Sequence, residues 1–199
     1  MRNRYVGELS TDVYGVIVDN AKIAHIALSE AEAIAASATG VLAATAGVTA
    51  AAGKLVTADI TNPPYPRNLT LTIGGTGGDV KAGDLVVTGT NFKDEVISET
   101  FTLEADTTTA QTGTLAFKTV TSVLIPQQDG TGATFAIGFG TKIGLPFFLD
   151  KKTCIMAVHN GAIETTAPTM AVDADEIEKN TITLDTALNG KEVDIYLVL

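Results

Sequence analysis

Hydrophobic and polar positions alternate along most of the chain after residue 67, and strict alternation is typical of a strand with one buried face. The pattern predicts strands over 68–73, 85–90, 96–103, 117–125 and 133–139. Turns rich in Gly, Asn and Asp separate these strands at intervals of roughly 8–12 residues, a spacing typical of sandwiches and barrels. The predicted fold class is therefore mainly β, with an immunoglobulin-like β-sandwich as the body.

The C-terminal part of the chain shows two hairpin patterns. The strand Cys154–His159 is followed by Asn160-Gly161, which favours the positive φ angles of a type I′ turn, and then by a return strand from Ala162. A second hairpin is predicted from a strand over 181–185, a turn at Asn189-Gly190 and a strand over 193–199. Together these predict a small β unit over 147–199, with an acidic turn over 173–178 between its hairpins.

The first 60 residues have a different pattern, dominated by Ala and Thr. Ser29 and Glu32 have the spacing of a capping box, which predicts a helix from Ser29 to about Ser37 with Gly40 as its stop. The Ala-, Thr- and Gly-rich stretch 41–53 is open between a second helix and an extended segment, and 14–18 is a candidate short strand. The predicted organisation is an N-terminal arm over 1–60, a sandwich over 61–146 after a proline cluster, and the C-terminal unit over 147–199.

Composition narrows the function classes. The chain of 199 residues carries 13 Lys and Arg against 23 Asp and Glu, a net charge of -10 that argues against binding to nucleic acid. One Cys and two His are too few for an internal disulfide or a zinc site. The weakly charged stretch 33–52 consists of small residues, so no membrane span is predicted, and no apolar segment follows the basic N-terminus as a secretory signal requires.

Candidate chemistry is sparse. The glycine run 74–78 is not followed by a helix, which a phosphate-binding loop requires. The acidic run 173–178 has Ile177 and Glu178 where a calcium loop places an oxygen ligand and a glycine. Cys154 and His159 lie five residues apart on one strand, which predicts that they point to opposite faces.

The paired carboxylates Asp94-Glu95 and Glu99 with Glu104 are of a kind that an acidic β protein contains by chance, and the chain has no Trp to bind a sugar. His25 has no evident partner in the sequence around it. The sequence thus predicts no catalytic residue, no cofactor-binding residue and no metal ligand, and a protein that is not an enzyme.

Several segments resemble, in order, a family of tailed-bacteriophage head decoration or minor virion structural proteins. They cover roughly residues 60–199 and comprise ITNPPYPRN at 60–68, VTGTN at 87–91, AFKTVTSV at 116–123, DGTGAT at 129–134, GTKIGLP at 140–146 and VDADEIEKNT at 172–181. Pro64 and Tyr65 depart from the family pattern, which has an acidic residue and Val there.

The resemblance implies a structural virion protein that decorates or cements a capsid. Its expected partners are the major capsid protein and further copies of itself, and neither nucleic acid nor a membrane is expected as a partner. The net negative charge favours the capsid exterior over contact with packaged DNA, after synthesis in the host cytoplasm. The alternatives are a tail or neck component and a sandwich module that binds the host surface.

Overall fold

The computed structural model describes residues 9–10, 17–18 and 22–199. These ranges are mainly β, and every strand pair is antiparallel. The strands are β1 (Leu9–Ser10), β2 (Ile17–Val18), β3 (Ile23–Leu28), β4 (Ser37–Ala46), β5 (Lys54–Val56), β6 (Arg67–Gly75), β7 (Gly83–Thr90), β8 (Val96–Leu103), β9 (Gln111–Phe117), β10 (Thr119–Ile125), β11 (Ala133–Gly144), β12 (Cys154–His159), β13 (Ala162–Ile163), β14 (Thr169–Ala171), β15 (Thr181–Thr183) and β16 (Val193–Val198). Two short 3-10 helices span Gly77–Asp79 and Ile177–Lys179.

Two sheets pack face to face as a β-sandwich. Sheet 1 has the order β14-β15-β11-β6-β9, with β4 paired to the first half of β11, and sheet 2 has the order β5-β10-β7-β8. Alternate residues of the strands turn inward, as the period of two predicts, and they form one shared hydrophobic core. Leu69, Leu71, Phe135 and Ile137 supply it from sheet 1, and Leu85, Val87 and Phe101 from sheet 2.

A third sheet, with the order β13-β12-β16-β3, covers a second hydrophobic core. Its inner face supplies Ile26, Leu28, Ile195 and Leu197, which pack against the end of β11 at Ile143 and other apolar residues. The second core therefore joins the chain before β4 to the chain after Gly144. Most strands of the sandwich lie between these two stretches in sequence, whereas β14 and β15 of sheet 1 belong to the second stretch.

The predicted helix after Ser29 is wrong. The Glu32 carboxylate accepts hydrogen bonds from both the amide and the hydroxyl of Ser29, so the half of the capping box that Glu32 supplies forms, yet the Glu32 amide bonds the Ser29 carbonyl and only a single turn is closed. The chain then enters β4, because Val41 and Leu42 bury their side chains in the sandwich core. Of the two alternatives for 41–53, the extended one holds for 41–46.

Gly40 has a packing role in place of the predicted helix stop, since an added Cβ there would lie 2.4 Å from the Phe139 ring. The short strand predicted at 14–18 is described only as β2 at Ile17–Val18, and residues 14–16 lie outside the described ranges. The described part of the first 60 residues thus contributes strands to all three large sheets, since β4 pairs with β11, β5 with β10 and β3 with β16.

Three further strand predictions have mixed outcomes. The hairpin β12–β13 is confirmed, with positive φ at both Asn160 and Gly161. The second C-terminal hairpin is wrong, because β15 pairs with β11 and β14 in sheet 1 while β16 joins sheet 3. The predicted strand 117–125 is confirmed over 119–125 as β10, while its first residue, Phe117, ends β9, an additional strand that lies in the other sheet of the sandwich.

Four of the segments that carry the family resemblance, 60–68, 87–91, 140–146 and 172–181, contact one another where the two cores adjoin. The Asn68 carboxamide bonds the Gly113 carbonyl and accepts from the backbone amide of Lys142. The Gly144 amide donates to the Pro66 carbonyl, and the Leu145 amide donates to the Asn180 carbonyl. Asn91 donates to the buried carboxylate of Glu178, 87 residues further along the chain. These motif residues therefore hold the two cores together.

Strand pairing crosses both boundaries of the predicted organisation, at 60 and at 146. β3 pairs with β16 and β11 pairs with β15, so neither the arm over 1–60 nor the unit over 147–199 is isolated by strand pairing. Whether these segments fold as separate units stays a prediction, which proteolysis tests below.

Candidate interaction surface

The outer face of sheet 3 is an exposed, largely apolar surface. Inward and outward positions alternate along β3, β12 and β16, as the burial of their residues shows. Strand register aligns the outward residues in rows across the sheet. We call them the outer face: Ile23, His25, Ala27, Asp194, Tyr196, Val198, Met156, Val158 and Ile163. Ile23 is 69% exposed and Ile163 64% exposed, and they lie at opposite edges of the sheet.

Three polar or aromatic side chains organise the middle of the outer face. His25 Nε2 lies 2.7 Å from a carboxylate oxygen of Asp194, and the His25 ring stacks on Tyr196 at 4.5 Å with nearly parallel planes. Asp194 is the only acidic side chain on this face of a chain whose net charge is -10. The outer face is therefore close to neutral, and its only carboxylate already has a partner.

Among the described strands, β3 pairs with β16 on one side only, and we call its other side the open edge of sheet 3. Lys22 and Leu199 exchange two backbone hydrogen bonds, of 3.1 and 2.7 Å. Because hydrogen-bonded and non-bonded pairs alternate in an antiparallel ladder, Ala24, Ile26 and Leu28 also direct their backbone groups toward β16. Ile23, His25 and Ala27 direct theirs away from the sheet, and these groups have no hydrogen-bond partner within residues 22–199.

A groove of about 450 Å³ adjoins the other end of sheet 3. It lies between β12 and the segment that leads into β14, because β13 pairs with only Val158 and His159 of β12. Its apolar wall includes Met156, Ile163 and Met170. The groove extends the apolar character of the outer face past the edge of the sheet.

The prediction that Cys154 and His159 point to opposite faces is wrong. A register shift between Cys154 and Met156 changes the alternation, so Cys154 packs against the second core and His159 is buried on the same side. Five residues of strand still separate them by on the order of 15 Å, which is too far for a nucleophile and its base. Burial raises the pKa of the Cys154 thiol, which further weakens it as a nucleophile.

The predicted acidic turn over 173–178 is a hydrogen-bonded loop. Asp173 accepts the backbone amides of Asp175 and Glu176, which holds the pKa of its carboxyl below the usual range. The buried Asn180 carboxamide bonds the carbonyls of Asp173 and Glu176 from inside the loop. The Asp173 carboxylate thus accepts hydrogen bonds from within the loop itself.

The carboxylates singled out in the sequence have separate hydrogen-bond and ion-pair partners. Asp94 makes an ion pair with Lys118 at 2.7 Å, and Glu95 accepts from Asn91. Glu99 is turned between the two sandwich sheets, where one of its oxygens accepts the backbone amides of Thr114 and Leu115. Burial raises the pKa of the Glu99 carboxyl.

The glycine run 74–78 is part of a turn that packs on a second turn. Gly74 and Gly75 end β6, and Gly77 begins a 3-10 helix. Asp79 then ties this helix to the turn over 129–132, because its carboxylate accepts the Gly132 amide at 2.7 Å. The run therefore has a structural partner within the chain.

The partner of His25 was missed in the sequence. Asp194 lies 169 residues away, and no short-range pattern links the two. The signal that was present is the alternation in 23–28 and 193–198, where one face of each strand is apolar and the other carries His25 or Asp194.

Among the described residues, no group of three or more His, Cys, Asp or Glu side chains is placed to hold a metal ion. Nor does the described part of the chain contain a helix long and apolar enough to cross a membrane. Comparisons with protein-family models, with curated proteins and with solved structures found no match to this chain.

Proposed function

We propose that this chain is a structural subunit that binds other protein chains through the outer face of sheet 3. The observation that carries the proposal is the exposure of Ile23 and Ile163 on one nearly neutral sheet face that also contains Tyr196 and Met156. Exposed apolar patches of this kind mark interaction surfaces in soluble proteins, because their burial releases ordered water. This role requires no bound ligand, metal ion or cofactor.

The particle that the subunit belongs to is proposed from the resemblance. The segments ITNPPYPRN, GTKIGLP and VDADEIEKNT resemble tailed-phage decoration proteins, and we assign the chain to the exterior of such a capsid, in contact with the major capsid protein. Two features support the assignment. The net charge of -10 disfavours a position against packaged DNA, and the resembling segments form the contacts between the two cores, as a shared fold requires.

The immunoglobulin-like class of the sandwich is part of this proposal. Its support is two antiparallel sheets over one core, with a chain that changes sheet between β9 and β10. A role in the tail or neck makes use of the same sandwich, and a ring-shaped assembly of the purified chain favours that role over decoration.

Capsid binding tests the proposal. Tailed-phage capsids assembled without this chain are mixed with the purified protein and sedimented. We expect the wild-type chain to co-sediment and Ile163→Asp to stay in the supernatant, because the substitution places a charge on the outer face. Val96→Asp is the matched control, since Val96 is 77% exposed but lies on sheet 2. Failure of the wild-type chain to bind, or equal loss for both variants, contradicts the proposal.

A further inference from the structure

The sheet edges in residues 22–199 differ in how they are protected from pairing with another chain. Natural proteins shorten, bulge or cover such edges, because unpaired backbone groups recruit further strands. β5 and β14 have three residues each and β13 has two. The register between β4 and β11 shifts twice, and the Thr61 amide also bonds the Val41 carbonyl of β4.

The edges of β8 and β9 are tied to each other. The Glu99 carboxylate of β8 accepts two backbone amides of β9, and the Gln111 side chain of β9 donates to the Thr102 carbonyl of β8 at 2.7 Å. β3 has none of these protections. It is six residues long, pairs with β16 without a register shift, and contains no proline and no charged Lys, Arg, Asp or Glu within Ile23–Leu28.

We propose that two copies of this chain associate by antiparallel pairing of β3 with β3 about a two-fold axis at His25. This inference deepens the proposed function, on which it rests for the place of the dimer in the particle, by naming a second copy as one partner of sheet 3. The two four-stranded sheets then continue as one sheet across the axis.

The register follows from the direction of the backbone groups. Ile23, His25 and Ala27 present their N–H and C=O groups to the open edge. An axis at His25 pairs His25 with His25 of the second copy, Ile23 with Ala27, and Ala27 with Ile23. Each of these three pairs exchanges two hydrogen bonds. Sliding the strands by two residues in either direction leaves at least one of the three residues without its partner.

Charge favours a second copy at this edge. Two chains of net charge -10 repel each other, so a self-contact is most favourable where neither copy presents an unpaired carboxylate. On the outer face Asp194 is already held by His25, and the edge residues Ile23 and Ala27 are apolar. Pairing about a two-fold axis buries the same surface on both copies, which is the usual arrangement of a closed dimer.

Substitutions at Ala27 test the pairing without disturbing the fold of one copy. The Ala27 amide points away from β16, and proline is tolerated on an edge strand where its missing N–H faces outward. Ala27→Pro therefore removes a backbone hydrogen-bond donor from the open edge and keeps the contacts to β16. Ala27→Val, the matched control, keeps the amide and enlarges the exposed side chain.

Sedimentation equilibrium of the full chain measures the outcome. We expect the wild type and Ala27→Val to have twice the 20.6 kDa mass of one chain. Ala27→Pro should have the mass of one chain. The amides of Ile23 and His25 should be protected from hydrogen exchange in the first two proteins and exchange freely in the third. A monomeric wild type at the highest soluble concentration, or a dimeric Ala27→Pro, overturns the inference.

Disulfide trapping tests the register and does not depend on the proline variant. In a background with Cys154→Ala and Asp194→Asn, which leaves no unpaired carboxylate on the outer face when His25 is replaced, His25→Cys places two thiols on the axis, at a Cα separation of about 5.5 Å that a disulfide can bridge. Ala27→Cys, the control, places its two copies roughly 13 Å apart along the strands. We expect His25→Cys to form disulfide dimers under mild oxidation and Ala27→Cys to stay monomeric. Equal cross-linking of the two variants, or none in either, contradicts the register.

The two proposals fail in different experiments. A monomeric chain that still co-sediments with capsids refutes the β3 pairing and leaves the structural function standing. A dimer that does not bind capsids refutes the assignment to the capsid and leaves the pairing standing.

Discussion

The buried Arg67 illustrates how this fold places polar groups that no sequence pattern identifies. Arg67 is completely buried, and its guanidinium donates one hydrogen bond to the Glu32 carbonyl while it lies 5.3 Å from the centre of the Phe139 ring. Its Nε and Nη1 atoms have no partner among the described residues, and burial lowers its pKa to about 10. Arg67 therefore carries a large cost of lost hydration with little compensation.

Substitutions of Arg67 separate the side chain's volume from its charge. Arg67→Met keeps most of the volume and removes the buried charge, so we expect a free energy of unfolding at least as high as that of the wild type. Arg67→Ala leaves a cavity and should lower the free energy of unfolding by about 2–5 kcal/mol. Urea unfolding measures both, and an equal loss in the two variants would show that the guanidinium stabilises the fold.

Glu99 predicts a dependence of stability on pH. Burial raises the pKa of its carboxyl in the folded chain, so the folded state holds this proton more tightly than the unfolded state. The resulting stabilisation is complete below the ordinary carboxyl pKa of 4.5 and is lost as the pH rises through the raised value. Glu99→Gln, which stays neutral, should therefore become more stable relative to the wild type as the pH rises through that range.

Urea unfolding over a series of pH values measures this difference. Glu104→Gln is the control, because Glu104 is exposed just beyond the end of the same strand. A Glu99→Gln curve parallel to that of the wild type at every pH would refute the assignment.

At the scale of elements, the sequence pattern succeeded where a strand has one buried face and failed where tertiary contacts decide the structure. The alternation predicted β6, β7, β8 and β11, because alternate residues of each strand face the sandwich core. In β11 most of the remaining residues are buried as well, since other strands and loops cover its second face. It placed a helix after Ser29, because the local capping interaction is real and Ala favours helices. Pairing of β4 with β11 outweighs that local preference.

The separation of β9 and β10 into different sheets and the position of β16 in sheet 3 also depend on tertiary pairing. Which sheet a strand joins depends on partners far away in sequence, and the pattern within one strand does not contain that information. The outer face of sheet 3 was missed for this reason, since β3 and β16 come from opposite ends of the described chain.

The close approach of β4 and β11 gives a prediction for one glycine. A Cβ at Gly138 would lie 1.9 Å from the Ser37 carbonyl oxygen, so Gly138→Ala must push the two strands apart. We expect a loss of about 1–3 kcal/mol or more in the free energy of unfolding. Gly78→Ala is the control, because nothing lies within 4 Å of its added Cβ. Thermal or chemical unfolding measures the stability of both variants. Equal stability would show that β4 is not held against β11.

At the scale of the whole molecule, the second core unites the two ends of the described chain. Ile26 and Leu28 come from β3 before the sandwich, and Ile195 and Leu197 come from β16 after it. The N-terminal stretch is thus more than a surface arm, and it completes the core that carries the outer face. From the sequence, the mainly β class and the β12–β13 hairpin could be predicted, whereas the contribution of β3 to sheet 3 could not.

Limited proteolysis near Phe147–Asp150 tests this arrangement. Phe148 is 43% exposed and offers a cleavage site, while Leu149 beside it is buried in the second core. We expect the two fragments to stay together in gel filtration after cleavage and to separate only in denaturant. A fragment 147–199 that elutes alone and stays folded would instead confirm the separate C-terminal unit predicted from the sequence.

The central claim is that this chain is a capsid-bound structural subunit whose sheet 3 is covered by other protein chains. Electron cryomicroscopy of capsids saturated with the purified protein tests it most directly. We expect density for the chain on the capsid exterior, with the outer face buried and β3 edges paired across two-fold axes. Particles without added density, or subunits whose sheet 3 is fully exposed to solvent, would contradict it.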